Sequence, residues 1–449
     1  MASKEELVQQ AERPGRLALK LHPYYRGKMQ TLPRCAVRSL ADFALWYTPG
    51  VAEPCRAIHR DPDLVYEYTS KWNTVAVVSD GTRVLGLGDI GPAAALPVME
   101  GKALLFKYLG GVDAVPICLA TRDPEEIIRT VKYLAPSFGG INLEDIAQPK
   151  CFTVLDTLRR EMDIPVWHDD QQGTAAVTLA GLLNALKLVG KRLEEVRIAL
   201  IGAGAANVCI ARLLVAAGAR PGNLLVADSR GLLHPGREEL KESHPEKWEL
   251  CLNTNAEGRV GGIPEALRGA DVVIALSQPG PDRIKKEWIR AMAEDPIVFA
   301  CANPVPEIWP WEAREAGARV VATGRSDFPN QINNSLGFPA IFRGALDVRA
   351  RTITDEMCLA AAAALAGYAE ETGRLCEDYL LPTMEEWEVY PRVAAAVGAK
   401  AGEQGVARRP QSYEELYTHA REIIRQAREM TQLLMERGYI PAPPEETEP

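Results

Sequence analysis

The feature that most constrains the fold is a repeated alternation of short apolar strands with segments of helical spacing. Strands that alternate with helices in this way form a mostly parallel sheet covered on both faces. We therefore predict an α/β fold with two such domains, residues 1–163 and 164–350, and a helical segment, residues 351–449, that packs back on the first domain. The predicted strands are Thr74–Ser79, Arg83–Leu87, Ala114–Leu119, Ile164–Trp167, Val196–Ile201, Asn223–Ala227, Asp271–Ala275, Ile297–Ala300 and Arg319–Ala322.

The charge, the lengths of the apolar runs and the cysteine pattern disfavour a nucleic-acid-binding, membrane-spanning or secreted protein. The 449 residues carry 51 Lys and Arg against 60 Asp and Glu, a net charge of −9 that disfavours a nucleic-acid or anionic-membrane partner. No apolar run reaches the roughly 18 residues of a membrane span, and the charged N-terminus lacks the apolar core of a secretory signal. The 9 cysteines are scattered, without a CxxC pair, as is typical of reduced thiols. We therefore expect a cytoplasmic protein.

Residues 197–207, RIALIGAGAAN, place a glycine turn between a predicted strand and a predicted helix. Gly202 and Gly204 let the backbone turn tightly and approach a pyrophosphate, while a helix beginning near Ala205 would offer its unpaired N–H groups to the anion. This pattern predicts that residues 164–350 form a Rossmann-like, doubly wound dinucleotide-binding domain. The third small position of the motif is Asn207, a departure that we expect to loosen the packing of the helix on the strand.

The next predicted strand ends in an acid that bears on which dinucleotide binds. Asp228 follows Gly202 by 26 residues, and a carboxylate at this place suits the ribose 2′-hydroxyl of NAD better than the 2′-phosphate of NADP. Ser229 and Arg230 could accept a phosphate, so NADP stays an alternative. A glycine turn in an α/β protein that binds no nucleotide is the other interpretation.

Four acids follow two neighbouring predicted strands. Glu144 and Asp145 come after one, and Asp169 and Asp170 come after the next. Because the carboxyl ends of parallel strands share one edge of the sheet, these acids can converge there. All-oxygen ligands favour Mg²⁺ or Mn²⁺ over Zn²⁺. Two helix N-termini, at which acids are also favourable, are the alternative explanation, and the adjacent His168 is more typical of a core residue than of a ligand.

Taken together, the motifs resemble the malic enzymes, which oxidatively decarboxylate malate to pyruvate with NAD(P) and a divalent metal. The resemblance covers roughly residues 40–345, and the motifs occur in the order that the family has. They are Tyr47–Ala52 (YTPGVA), Arg83–Gly91 (RVLGLGDIG), Gly101–Ala103 (GKA), Asn142–Asp145 (NLED), His168–Thr174 (HDDQQGT), Gly202–Gly204, Asp228–Ser229, Asn303–Glu307 (NPVPE) and Asn333–Asn334.

The resemblance implies a metal site with a base beside it. Glu144, Asp145 and Asp170 would bind Mg²⁺ or Mn²⁺. Lys102 would be the general base, and Asp169 would orient it. Without the resemblance, a lysine in a helical stretch such as this one would be interpreted as solvated.

The resemblance also implies roles around the substrate. Tyr47 would be the general acid, Arg83 would hold a substrate carboxylate, and Asn334 would hydrogen-bond the substrate. Asn303 and Asn333 would line the junction of nicotinamide and substrate, Asn303 as part of both binding sites and Asn333 as part of the cofactor site. The structural alternatives are that Tyr47 covers a turn, that Arg83 is a surface strand residue, and that the paired asparagines cap the following segment.

Other functions remain open at this point. A malolactic-type enzyme, which keeps NADH bound and yields lactate, resembles this family closely. A metal-independent NAD dehydrogenase would not use the acid cluster, and a non-catalytic sensor would usually lack the base or a ligand. The family resemblance further implies a homodimer or a higher homo-oligomer.

Overall fold

The computed structural model describes residues 4–444, with only the backbone given for residues 4–12; the last five residues of the predicted C-terminal segment lie outside it. Two separate sheets organise the chain. The first has the order β2-β1-β3-β4 and is parallel throughout. Its strands are β1 Thr74–Ser79, β2 Asp113–Cys118, β3 Gly140–Leu143 and β4 Val166–His168.

The second sheet has the order β10-β9-β8-β5-β6-β7, and all its pairs are parallel except the short hairpin of β6 with β7. Strand order reverses between β5 and β8, so a crevice opens there at the carboxyl ends of the strands, where open α/β sheets bind ligands. The predicted doubly wound α/β architecture is thus confirmed. The strands are β5 Ile198–Ile201, β6 Leu224–Asp228, β7 Gly231–Leu232, β8 Val272–Ala275, β9 Ile297–Ala300 and β10 Val320–Thr323.

Helices cover both sheets and form the C-terminal part of the chain. Among the described residues, no helix is long and apolar enough to cross a membrane. The helices are α1 Lys4–Tyr25, α2 Phe43–Trp46, α3 Ala52–Arg60, α4 Val65–Tyr68, α5 Pro92–Gly110, α6 Pro124–Leu134, α7 Lys150–Glu161, α8 Thr174–Val189, α9 Ala205–Ala216, α10 Leu240–Ser243, α11 Pro245–Asn253, α12 Ile263–Leu267, α13 Lys286–Arg290, α14 Pro310–Glu315, α15 Phe338–Asp347, α16 Asp355–Glu371, α17 Val389–Glu403 and α18 Tyr413–Glu436.

The predicted strand Arg83–Leu87 is wrong, because the glycines around it form a closed loop. Leu85, Gly88 and Gly91 have positive φ angles of 48°, 78° and 80°. The Val84 amide donates to the Gly88 carbonyl at 2.9 Å, which closes the loop on itself. Glycine adopts such angles without strain, and Leu85 takes one in the same loop, so the glycine spacing overrides the apolar pattern that favoured a strand.

The C-terminal helices join the two halves of the molecule. Helix α18 packs on α5, beside the first sheet, while α16 packs on α8. Strand β4 pairs with β3 through residues 166–168, so the first sheet extends beyond residue 163. The division of the chain at residues 163 and 350 stays a prediction.

Candidate functional site

A cavity of about 330 Å³ lies where the carboxyl ends of the two sheets face each other. Residues from both halves of the chain line it, and most of the residues predicted from the sequence are among them. These are Arg83, Lys102, Glu144, Asp145, Asp170, Gly204, Ala205, Asn303, Asn333 and Asn334. Four predicted residues do not line it: Tyr47, Asp169, Gly202 and Asp228.

Three of the predicted acids form one cluster in this cavity. Glu144 and Asp145 follow β3, and Asp170 lies in a π-helical turn after β4. Each offers a carboxylate oxygen, and these oxygens lie within 4.8 Å of one another. The Asp145 amide donates to Oδ2 of Asp170 at 2.8 Å, which ties the two loops together. His168 is not part of this cluster among the described residues, and its ring is buried.

The cluster is electrostatically unfavourable without a cation. Burial raises the pKa of Glu144 well above its ordinary value, Lys102 opposes the shift, and repulsion from Asp170 adds to it. Burial and repulsion from Asp170 raise the pKa of Asp145 to about 8, and Oδ2 of Asp145 is buried without a hydrogen-bond partner. Converging oxygens with an unpaired buried acceptor fit a hard divalent cation, and the helix-terminus alternative does not explain them.

Lys102 extends from α5 into the same cluster. Its Nζ forms an ion pair with Asp169 and lies 3.1 Å from Oε1 of Glu144 and 4.3 Å from the centre of the Phe338 ring. Burial lowers the pKa of Lys102, but the carboxylates of Asp169, Glu144 and Asp170 raise it more, so that it lies above its ordinary value. The side chain is only 9% exposed, which excludes the interpretation of a solvated lysine.

Asp169 is fixed in place behind the cavity wall. It is fully buried, and Trp167 Nε1 donates to its Oδ1 at 3.2 Å. A Cβ at Gly173 would collide with this carboxylate, so the turn needs glycine there. Asp169 therefore contacts Lys102 without access to the cavity itself.

The glycine turn after β5 is tightly packed at Gly202 and open at Gly204. Gly202 has a φ of 96°, and a Cβ there would lie 2.5 Å from the Leu276 carbonyl oxygen. A Cβ on Gly204 would meet no atom within 4 Å, so the cavity is open beside the first turn of α9. Asn207 does not loosen the packing as expected. It is buried, and its Nδ2 donates to the carbonyls of Ile201 at 3.0 Å and Gly202 at 2.8 Å.

Asp228 ends β6, as predicted, and its carboxylate is held by an arginine that the sequence did not single out. Oδ1 and Oδ2 accept from the two terminal nitrogens of Arg237 at 3.1 and 3.0 Å, and Oδ1 also accepts from the Arg230 amide at 2.9 Å. A basic side chain thus lies directly beside the acid.

The loop after β1 carries Arg83 and connects the two halves of the cavity. The Arg83 amide donates to the Asp145 carbonyl at 3.0 Å, and its Nη1 donates to the Leu85 carbonyl at 2.9 Å. Gly86 lies against the opposite wall, since a Cβ there would come within 2.6 Å of the Asn303 carbonyl oxygen. The exposed Arg83 guanidinium therefore stands at the mouth of the cavity.

Both asparagines lie at the cavity, and one of them also caps a turn. Asn333 and Asn334 line the cavity, and the Asn333 side chain also accepts from the Ser335 amide at 3.0 Å, which caps a short 3-10 turn. The same side chain donates from Nδ2 to the Gly324 carbonyl at 3.3 Å. Capping therefore holds Asn333 in place at the cavity wall.

Glu307 organises the cavity wall, although no separate role was predicted for it. It is fully buried and accepts from the Ser277 amide at 2.7 Å and the Ala302 amide at 3.1 Å. These bonds join the loops after β8 and β9. The sequence signal that could have identified Glu307 is an acid within an apolar, proline-rich stretch. A carboxylate buried in such a stretch requires hydrogen-bond donors from the surrounding loops.

Tyr47 is a predicted site residue that lies outside the cavity lining. Its side chain is among the exposed apolar groups, with 71% of the residue accessible. The described lining of the cavity contains no tyrosine. The site within one chain therefore contains the amine and the acids without the expected proton donor.

Comparison with known proteins shows which class this fold and site belong to. Residues 171–402 match the family described as malic enzyme, NAD binding domain, and residues 26–124 and 120–159 match malic enzyme, N-terminal domain. The chain therefore belongs to the malic enzyme family, which confirms the resemblance seen in the sequence.

Individual relatives agree over most of the chain. The NAD-dependent malic enzyme of Geobacillus stearothermophilus is 54% identical, over 85% of this chain and 78% of its own length. The bifunctional malic/malolactic enzyme of Bacillus subtilis (strain 168) is 51% identical, over 90% of this chain and 97% of its own length. The crystal structure of the Entamoeba histolytica malic enzyme superposes with a TM-score of 0.97 at 50% identity, covering 100% of this chain and 93% of that one.

Proposed function

We propose that this protein oxidises malate at C2 and releases CO₂ to give pyruvate, with NAD as the hydride acceptor and Mg²⁺ or Mn²⁺ as a required ion. The observation that carries the proposal is the convergence, in one cavity, of the Lys102 amine with the carboxylates of Glu144, Asp145 and Asp170 opposite the Gly204 turn. A metal-independent dehydrogenase would have no use for three converging acids at this place, of which Glu144 and Asp145 are buried and Asp170 is half-buried.

Glu144, Asp145 and Asp170 are the residues that would hold the divalent ion. When bound, such an ion supplies positive charge that makes an adjacent alcohol more acidic and stabilises negative charge on its oxygen. A bound cation would offset the mutual repulsion of the three carboxylates, which favours its binding. The bond from the Asp145 amide to Asp170 fixes their spacing, at 2.8 Å.

Lys102 accepts the C2 hydroxyl proton at Nζ. It must be neutral to do so, and the nearby acids hold it protonated in the absence of other charges. Neutralisation of those acids by a cation shifts its pKa downward, toward the value that a base needs. Asp169, itself out of reach of the cavity, keeps the amine oriented toward the substrate.

The remaining residues position the substrate and cofactor. Arg83 offers its guanidinium fork to a malate carboxylate, and Asn334 hydrogen-bonds the substrate. Gly202, Gly204 and Ala205 would hold NAD, which would accept the hydride from the substrate. Asn303 and Asn333 line the wall where nicotinamide and substrate meet.

A spectrophotometric assay tests the proposal directly. Malate with NAD and Mn²⁺ is expected to give NADH and pyruvate in equal amounts, and EDTA is expected to abolish both. Turnover that persists in EDTA would contradict the metal-dependent reaction. The same assay is repeated with NADP in place of NAD, and we expect kcat/KM to be lower with NADP than with NAD.

Malolactic conversion is a second candidate, because the Bacillus subtilis relative is named for both activities. The same residues would serve it, since lactate forms when pyruvate is reduced before NADH leaves. Product analysis distinguishes the two functions. Pyruvate with released NADH indicates oxidative decarboxylation, and lactate without net NADH indicates the malolactic reaction.

The Asp228→Ser variant is expected to raise the ratio of kcat/KM for NADP over NAD by at least about tenfold, a change of roughly 1.4 kcal/mol. The variant loses the acceptor for the ribose 2′-hydroxyl and frees the Arg237 guanidinium to meet a 2′-phosphate. Steady-state kinetics with each cofactor measure the ratio. The control is Glu239→Ala, which removes another carboxylate bound to Arg237, at 2.5 Å; an equal change in both variants would contradict the role of Asp228.

A further inference from the structure

Asp80 is a buried acid outside the set of residues that contact the cavity. It directly follows β1, and its side chain is fully buried. Its Oδ2 forms an ion pair with Nζ of Lys150, the first residue of α7. Its Oδ1 accepts from the Thr82 amide at 3.1 Å and from the Thr82 hydroxyl at 2.6 Å. A buried carboxylate requires donors, and here they come from the loop after β1 and from the start of α7.

Thr82 extends this contact to the loop after β3, which carries two of the three clustered acids. Its hydroxyl oxygen accepts from the Ala147 amide at 3.0 Å. The next residue, Arg83, donates from its amide to the Asp145 carbonyl at 3.0 Å. The loop of Arg83 and the loop of Asp145 are therefore joined at two backbone amides, and the buried ion pair of Asp80 lies directly beside them.

Lys150 also reaches the loop after β2. Its Nζ donates to the Arg122 carbonyl at 3.2 Å, while the Leu119 amide donates to the Ser79 carbonyl at 2.8 Å. One amine thus contacts the loops that follow three neighbouring parallel strands, β1, β2 and β3. These loops lie at the carboxyl edge of the first sheet, where the acid cluster also lies.

The pair of Asp80 with Lys150 differs from the surface ion pairs in its burial. The lysine side chain is 18% exposed, whereas the Lys132 and Glu161 side chains, which join α6 to α7, are 38% and 40% exposed. Exposed pairs contribute little to stability. A buried pair behaves differently, because removal of one partner leaves an uncompensated charge, whereas replacement of both partners by neutral groups is often tolerated.

We propose that Asp80 and Lys150 are positioning residues that fix the Arg83 guanidinium relative to Glu144 and Asp145. The inference rests on the proposed function, in which Arg83 holds a malate carboxylate and the acids hold the ion. A substrate that contacts both must fit the spacing between the two loops. Because the carboxylate is bound in the ground state and in the transition state alike, loss of this positioning raises KM for malate more than it lowers kcat.

Three variants separate positioning from stability: Asp80→Asn, Lys150→Met and the combination of both. Each single variant leaves one charge unpaired, so the Tm is expected to fall and KM for malate to rise. The double variant has no unpaired charge, and its Tm is expected to return toward that of the wild type. Its loops still lack the ion pair, so KM is expected to stay raised by about tenfold or more, as the loss of a charged hydrogen bond implies. Recovery of KM together with the Tm would overturn the proposal.

The exposed pair between α6 and α7 provides the matched control. The Lys132→Met/Glu161→Gln double variant removes the same two charges from a lysine–acid pair that contacts none of the three loops through its side chains. Its Tm and its KM for malate are expected to remain at the wild-type values. An equal rise of KM in this control would overturn the specific role of Asp80 and Lys150.

Hydrogen–deuterium exchange separates this inference from the proposed function, because it needs no substrate. The Arg83 and Ala147 amides, which join the two loops, are expected to exchange at least about tenfold faster in the Asp80→Asn/Lys150→Met variant than in the wild type. Unchanged exchange at both amides would overturn the proposal even if the wild type oxidises malate. A wild type that does not oxidise malate would contradict the proposed function alone, and faster exchange would still support the positioning of the loops.

Discussion

The Lys102→Ala variant is expected to lose malate oxidation by about 10²- to 10⁴-fold, the range typical of a general base, while it still binds NAD. The reason is geometric. The amine is buried, faces Asp169 and Glu144, and lies in the cavity that also contains the nucleotide turn. Steady-state kcat measures the loss, and calorimetric titration with NADH measures the retained binding.

A surface lysine provides the control for this substitution. Lys187 pairs with Glu370 at 2.7 Å, and its side chain is 50% exposed. Exposed pairs of this kind contribute little to stability, so Lys187→Ala is expected to keep the wild-type rate. Turnover in Lys102→Ala close to that of Lys187→Ala would remove the assignment of the base.

The Asp170→Asn variant is expected to bind Mn²⁺ more than about 100-fold more weakly than the wild type, beyond the ~10–100-fold that changes around a ligand usually cost. The asparagine side chain has nearly the same shape as the aspartate and can still accept from the backbone amide of Asp145, so the loop keeps its conformation.

The same variant is also expected to have a higher Tm in the absence of metal. Asp170 repels Glu144 and Asp145, and its neutralisation removes that repulsion.

Calorimetry with Mn²⁺ and thermal unfolding with and without the ion measure the two effects. The control is Glu125→Gln, which removes an exposed acid in the first turn of α6. It is expected to leave Mn²⁺ binding unchanged. Equal weakening in both variants would indicate a general effect of charge and not a ligand at Asp170.

The acid cluster could be predicted from the sequence, because each acid directly follows a strand and the strands are parallel. Glu144 and Asp170 each follow a strand, and parallel strands bring their carboxyl ends to one edge. Gly202 and Gly204 were likewise recognisable, because a strand and a helix flank them. Together with its resemblance to the family, the sequence therefore predicted the α/β fold and the charged residues of the cavity lining, whereas most of the other lining residues were not singled out.

The features that the sequence did not predict depend on contacts between distant residues. Tyr47 lies outside the cavity lining, in a stretch that begins where Arg34 pairs with Asp113, 79 residues further along the chain. Glu307 acquires its role from the amide of Ser277, 30 residues earlier in the chain, together with that of the nearby Ala302. The incorrect strand at residues 83–87 has a different cause, since an apolar pattern does not show which glycines take positive φ angles.

We propose that the carboxylates of Glu144, Asp145 and Asp170 hold a single divalent ion in this cavity, with the Lys102 amine beside it. Anomalous diffraction from crystals grown with Mn²⁺ tests it most directly. The account predicts one strong peak within coordination distance, about 2.0–2.6 Å, of oxygens from Glu144, Asp145 and Asp170. A peak elsewhere, or these three side chains turned away from one another around an empty centre, would contradict it.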